Sequence, residues 1–400
     1  MRRYFVITGA LSLGYGSIYT LLADLRDRYG FSEAQLGIIA GAGFFAGFLA
    51  QAVLARQADK GRTALMVRGG VLVATLAMLG CAVAKAYWAF VLARALLGLG
   101  SGVAGPALRR LVILREPEHV GRNLGTQASF DLAGFVLGPL IAAVTAQAFG
   151  LRAPFVLLAG ILGGIFVSTI GLDLTADVGD EEHPESRGLL RQRAVLATLA
   201  IAVAFYTTIG VFEAVWSVLL RDRGAETWLI GLTLSLFTVP MIFLAPIGGR
   251  LAHERGPMRT VVWSVSIAAL CSFSYGAIHV LWILLAVSLV HAVADSFTMP
   301  GNQVGVALAA PRHQLAAAQG LLGAAGLATA GIVGVVAGSV YEHAGPFTLF
   351  TGTAVLMTAC VAVAALLASG TPLATASATG DRLAPADDLP LEVPMIPGGT

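Results

Sequence analysis

The feature that most constrains this chain is a run of about 20 mostly apolar residues that recurs about twelve times. The runs lie at about 4–23, 34–56, 64–84, 86–108, 123–148, 153–173, 194–220, 228–249, 259–279, 281–303, 315–340 and 347–369, each long enough to cross a bilayer as a helix. The breaks between them are polar or hold Gly and Pro, as at Asp59-Lys60-Gly61-Arg62 and Gly256-Pro257. In hydrocarbon every backbone polar group must be satisfied within the protein, so such a chain folds as a helical bundle. The expected fold class is an all-α membrane protein of twelve transmembrane helices.

Charge agrees. Only 12% of the 400 residues are charged, against 57% hydrophobic. A soluble domain carries about 25% charged residues, so an ordinary soluble enzyme is excluded. The net charge of +2 leaves no basic surface for nucleic acid, and no nucleic-acid partner is expected. Cys81, Cys271 and Cys360 are far apart and form no metal-ligand spacing; neither a metal nor a cofactor is expected. Met1-Arg2-Arg3 precedes an apolar run without a small-residue cleavage site, which reads as a retained first helix. With the N-terminus inside, Lys and Arg favour the cytoplasmic segments by roughly three to one, so both termini are expected in the cytoplasm. Lys60 and Lys85 are the lysines; an arginine-, alanine- and glycine-rich chain fits a GC-rich bacterial genome and a bacterial inner membrane.

The chain also repeats itself. Leu25-Arg26-Asp27-Arg28 returns as Leu220-Arg221-Asp222-Arg223, and Leu36-Gly37-Ile38 as Ile230-Gly231-Leu232, about 195 residues later. An offset of six helices relates two halves in the same orientation, by an axis along the membrane normal. The expected organisation is an N-terminal six-helix half over 1–173, a cytoplasmic linker over 174–193, a C-terminal six-helix half over 194–369, and a disordered cytoplasmic tail over 370–400.

Three local patterns resemble the major facilitator superfamily. The loop after the second span, with Asp59, Gly61 and Arg62, looks like the second half of that family's G-x-L-A-D-R-x-G-R loop. Its counterpart after the eighth span keeps Gly249 and Gly256 but has His253 where the Asp is expected. Arg94 to Gly102 in the fourth span is similar to the family's R-x-x-x-G-x-G pattern. Gly134, Gly138 and Pro139 in the fifth resemble its antiporter motif G-x-x-x-G-P-x-x-G-G, although the last two glycines are Ala142 and Ala143 here. The resemblance, closest to the 12-helix drug:proton antiporter branch, implies a gating role for the loops and export in exchange for protons. It also implies that spans one, four, seven and ten surround a central cavity.

An ionisable side chain inside a span is costly and marks function by default. The cases are Arg94, Asp131, Glu213, His291 and Asp295, the last two at i and i+4 on one helix face. Asp131, Glu213 or the His291/Asp295 pair is expected to carry the proton; each also suits an interhelical salt bridge or hydrogen bond. Asp24 and Asp173, near span ends, are expected to face water. Tyr15, Tyr19, Phe205, Tyr206, Phe212 and Trp216 on spans one and seven are candidates for an aromatic cavity wall, or else pack in the bundle.

No nucleotide-binding glycine loop and no hydrolase motif occurs. The expected function is a secondary transporter, monomeric in the bilayer, exporting small organic, lipophilic or drug-like molecules against entering protons. The alternatives are a proton-coupled uptake symporter for a small metabolite such as a sugar or organic acid, and a non-transporting membrane sensor or scaffold.

Overall fold

A computed structural model of the chain describes residues 1–54, 62–116, 120–175, 186–310, 314–371 and 373. The described residues are helical apart from short turns, with no strand among them. Asp59, Gly61, part of the linker and nearly all of the tail lie outside them.

The helices are α1 (Arg2–Thr20), α2 (Leu22–Tyr29), α3 (Glu33–Leu54), α4 (Thr63–Val83), α5 (Tyr87–Arg115), α6 (Val120–Phe149), α7 (Ala153–Ile170), α8 (Arg193–Asp222), α9 (Thr227–Arg255), α10 (Pro257–Tyr275), α11 (Leu281–Ala309) and α12 (Leu315–Ala368). Nine described helices are long and apolar enough to cross a membrane. The pair α1 and α2, bent by 47° at Leu21, adds a tenth span. The twelve apolar runs are completed by α10 and by the division of α12 in two at Gly345, which has φ 78°. The polar side chains Thr260, Ser264, Ser266, Ser272 and Ser274 keep α10 below the apolarity of its neighbours.

Small residues set the packing. With little hydrophobic drive between helices in lipid, close backbone approach holds them together. Gly98 of α5 lies so near α3 that a Cβ there would collide with the Gly43 carbonyl oxygen. Gly100, on another face of α5, meets α4, where a Cβ would come 2.5 Å from the Gly70 carbonyl oxygen. In α6, Gly134 and Gly138 face α1; a Cβ on Gly138 would stand 2.5 Å from the Leu13 carbonyl oxygen. Between the first six spans and the last six the same device recurs. Gly37 and Gly41 of α3 meet Gly334 and Gly331 of α12, and Gly231 of α9 meets Pro139 and Ala143 of α6. Ser235 of α9 adds a hydrogen bond to the Val136 carbonyl, 2.6 Å.

The turn between α9 and α10 needs glycine for its backbone. Gly256 has φ 94°, and Pro257 then starts α10 at a position where a missing N–H is no loss. At the end of α7, Arg68 donates to the carbonyls of Thr169, Ile170 and Leu172 and ties that end to α4.

Candidate functional site

Along the bundle axis lie three layers: a cavity towards the end that holds the N-terminus, a sealed middle, and an ion-paired far end.

The cavity has a volume of about 600 Å³ and lies between α3, α5, α6, α8, α11 and α12. Its N-terminal wall carries Arg109 and Asp131, both exposed. Asp131 accepts a short hydrogen bond from the Ser12 hydroxyl of α1. Among the described residues no carboxylate lies within ion-pairing distance of Arg109. The C-terminal wall carries Phe205 and Tyr206 from α8, Asn302 and Gln303 from α11, and Gln319 from α12. Two of these amides are oriented by the backbone: Asn302 donates to the Thr198 carbonyl at 3.0 Å, and Gln319 to that of Gln303 at 3.2 Å. A smaller side cavity of about 320 Å³ shares Arg109 and Asp131 and reaches Thr8, Ser12 and Gln127. Gln127 donates to Thr8 at 3.0 Å.

In the middle layer Arg94 is fully buried. Its guanidinium lies over the Tyr15 and Tyr19 rings, 4.0 and 4.5 Å from their centroids, and donates to the Tyr15 carbonyl at 3.1 Å and to the Tyr19 hydroxyl. Gly43 leaves it room: a Cβ there would come 2.6 Å from the Arg94 Nε. This cation is held by π faces and oxygen acceptors, with no carboxylate in contact among the described residues. Glu213 of α8 is buried too, and its Oε2 has no hydrogen-bond partner among the described residues.

Packed within the C-terminal helices is a third group. Tyr275 and His291 share a hydrogen bond at the His291 Nδ1, 2.9 Å, and the His291 Nε2 lies 3.5 Å from the Asp295 carboxylate. Phe212 stacks on Trp216 at 4.4 Å and abuts His291 at 5.6 Å. His291 and Asp295 are 0% and 2% exposed and do not line the cavity.

At the far end, the repeated Leu-Arg-Asp-Arg segments bind each other. Arg26 pairs with Asp222 at 2.8 Å, and Arg221 with Asp24 at 2.7 Å. Arg26 also reaches Glu33 at 3.2 Å, Tyr341 donates to Asp222 at 2.8 Å, and Thr227 donates to Asp24 at 2.8 Å. Glu342 of α12 accepts from the Ala34 N–H in the first turn of α3, 2.9 Å, at a helix end that favours negative charge. Asp24 therefore does not face water as expected; it is an ion-pair partner across the two sets of six spans. Asp173 does face water, against Arg115 at 2.5 Å.

Of the residues singled out in the sequence, Asp131, Phe205 and Tyr206 line the cavity, and Tyr15, Tyr19, Arg94 and Glu213 belong to the sealed middle layer. Phe212 and Trp216 pack inside the C-terminal helices rather than facing the cavity. Gly134 and Gly138 serve the α1–α6 contact, and Pro139 sits where α6 meets α9. Gly256 makes the α9–α10 turn, Gly249 lies beside Pro300 of α11, and Arg62 opens α4. Sequence reasoning misses Arg109, Ser12 and the cavity amides. Arg109 reads there as one more cytoplasmic charge, whereas Gln51, Gln127, Asn302, Gln303 and Gln319 are visible as amides within or beside apolar runs. The repeated Arg-Asp segments read only as a sign of duplication.

The model of the Major Facilitator Superfamily matches residues 4–281 and 198–393. The chain belongs to this superfamily. Among its relatives, Multidrug resistance protein MdtG of Serratia proteamaculans is 28% identical over 262 residues, covering 62% of each chain. MdtG of Enterobacter lignolyticus is 26% identical over 260 residues, covering 61% of this chain and 60% of the relative. The chain thus spans somewhat less than two thirds of these relatives. Among solved structures, a point mutant of the nucleoside transporter NupG superposes with a TM-score of 0.79 at 12% identity, over 91% of this chain and 98% of that one. A bacterial homologue of the human lysosomal transporter Spinster, inward-facing and occupied, gives 0.75 at 14% identity, over 92% and 95%. At these identities the likeness is one of fold. The protein is a multi-pass membrane protein with the major facilitator fold of twelve helices.

Proposed function

We propose that the chain is a secondary active exporter of small organic, drug-like molecules, driven by protons moving the other way. The carrying observation is a cavity that exposes a carboxylate, Asp131, on the N-terminus side of a bundle whose opposite end is ion-paired shut. A substrate entering that cavity meets Asp131, and opening the paired end would deliver it to the other side. Similarity to proteins named for multidrug resistance supports export.

Asp131 is the proton carrier in this reading. Exposed in the cavity, it exchanges a proton with one side; closure of the cavity would desolvate it and favour its neutral form. Glu213, buried near Arg94 without a hydrogen bond on its Oε2, is the second carrier site, on the path between cavity and paired end. Arg94, cradled by Tyr15 and Tyr19, supplies positive charge that helps return Glu213 to its ionised form. The His291/Asp295 pair, sealed in the C-terminal helices, is assigned to packing. The positive-inside bias puts the cavity end and both termini in the cytoplasm of a bacterial inner membrane. Segments 1–173 and 194–369 act as the two rocking bodies of a monomer, with the loops at Arg62 and Gly256 as their hinge-side turns.

The test is dye efflux from bacteria lacking their main pumps. The reading expects efflux that a protonophore stops and that Asp131→Asn abolishes, with Glu213→Gln slowing it strongly. Efflux indifferent to the protonophore would refute the coupling. Efflux unchanged by both substitutions would refute the residue assignment and return attention to His291 and Asp295.

A further inference from the structure

The cavity's lining is chemically two-sided, and this bears on what enters it. One wall carries both signs of charge side by side: Arg109 from α5 and Asp131 from α6. The two are not joined: Asp131 is bonded to Ser12, and no carboxylate sits within ion-pairing distance of Arg109 among the described residues. The facing wall is uncharged among the described residues. It offers the Phe205 and Tyr206 rings, and the amides of Asn302 and Gln319, each of which gives one N–H to a backbone carbonyl. The second N–H and the oxygen of each amide remain for a ligand. A purely lipophilic cation would satisfy Asp131 and leave a guanidinium facing its apolar body. A simple organic acid would satisfy Arg109 and bring like charge towards Asp131.

We infer that the preferred substrate is amphoteric: a planar aromatic molecule with a basic amine held by Asp131 and an acid group held by Arg109, its ring system against Phe205 and Tyr206. This rests on the export reading above and narrows it. The amine and the proton then compete for the same carboxylate, so substrate binding ejects the proton, as exchange requires. An acid group alone would draw a proton onto Asp131 and couple in the opposite sense. Arg109 takes planar acid groups through its fork of N–H donors, which lysine would not reproduce.

The test uses ciprofloxacin, which is zwitterionic, planar and fluorescent, with its decarboxylated derivative and its N-acetylated derivative. Binding to the purified full-length protein is read by fluorescence anisotropy, and transport in proteoliposomes under an imposed proton gradient. Each charge-assisted contact is worth about tenfold or more, so the wild type should bind the zwitterion at least tenfold tighter than either derivative. Arg109→Gln should bind the zwitterion and the decarboxylated compound equally, and Asp131→Asn should do the same for the zwitterion and the N-acetylated compound. Arg109→Lys should recover only part of the preference. A wild type that binds the decarboxylated compound as tightly as the zwitterion, or binds none of the three, overturns the inference, and neither result depends on how the variants fold. The binding pattern without any proton-driven movement would uphold this inference and sink the export reading. Proton-driven efflux of a cationic dye with no preference for the zwitterion would do the reverse.

Discussion

At the scale of single residues, position within the cavity separates groups that look alike in sequence. Asp131, Glu213 and Asp295 are all carboxylates within apolar runs. Asp131 faces the cavity, Glu213 is buried in the middle layer, and Asp295 is sealed against His291. Asp131 was legible because a charge in a span is rarely idle. Arg109 was not, because an arginine near the end of a span looks like any interfacial anchor until the helices bring it beside Asp131. Glycine gives a prediction at this scale. Gly98→Ala puts a methyl against the Gly43 backbone, which cannot retreat as a side chain would, and overpacking of this kind costs about 1–3 kcal/mol. Gly160, in α7, has nothing within 4 Å of its added Cβ. Gly160→Ala should be neutral or stabilise by up to about 1 kcal/mol, through the lost backbone freedom of glycine. Thermal unfolding in detergent, with both variants against wild type, checks the pair.

At the scale of elements, the apolar runs placed the spans well, because hydrocarbon admits few alternatives to a helix. One break escaped that reasoning, at Leu21, whereas the break at Gly345 falls between the runs at 315–340 and 347–369. The 47° bend at Leu21 falls inside the first polar-ended segment, and it aims α2 so that Asp24 and Arg26 meet Arg221 and Asp222. The duplicated Leu-Arg-Asp-Arg was legible as a repeat; its reciprocal pairing needed the pseudo-twofold arrangement in space. These pairs are partly buried and linked, so as a network they count for more than isolated surface bridges. Arg26→Gln with Arg221→Gln should move the distance distribution between spin labels at Arg28 and Glu226 to longer values. The swap Arg26→Asp with Asp222→Arg should restore the short one. A distribution unmoved by the double variant would show that glycine packing alone keeps this end shut. At the opposite end, the hydroxyl and N–H of Thr175, then Arg115, hold the Asp173 carboxyl below the usual range. A carboxylate with a lowered folded value adds stability above its unfolded value, about pH 4, and loses it as pH falls through the lowered one. Asp173→Asn should therefore narrow the gap to wild type as unfolding is followed from pH 7 to pH 3. A gap independent of pH would remove Asp173 from the α5–α7 tie.

At the scale of the molecule, two six-span sets meet through glycine faces and ion pairs at one end and enclose a cavity at the other. The duplication and the length of the spans made this architecture legible in the sequence. The chemistry of the cavity was not, since its amides and Arg109 come from helices far apart in the chain. In the proposed cycle, proton movement and substrate export both pass through Asp131. Proteoliposomes loaded with a pH-sensitive dye, facing a fixed substrate gradient and no proton gradient, test it in one step. Substrate leaving its concentrated side should drive protons the opposite way, and Asp131→Asn should abolish that proton flux while substrate still binds. Proton flux in the same direction as the substrate, or flux undiminished in Asp131→Asn, would contradict the account.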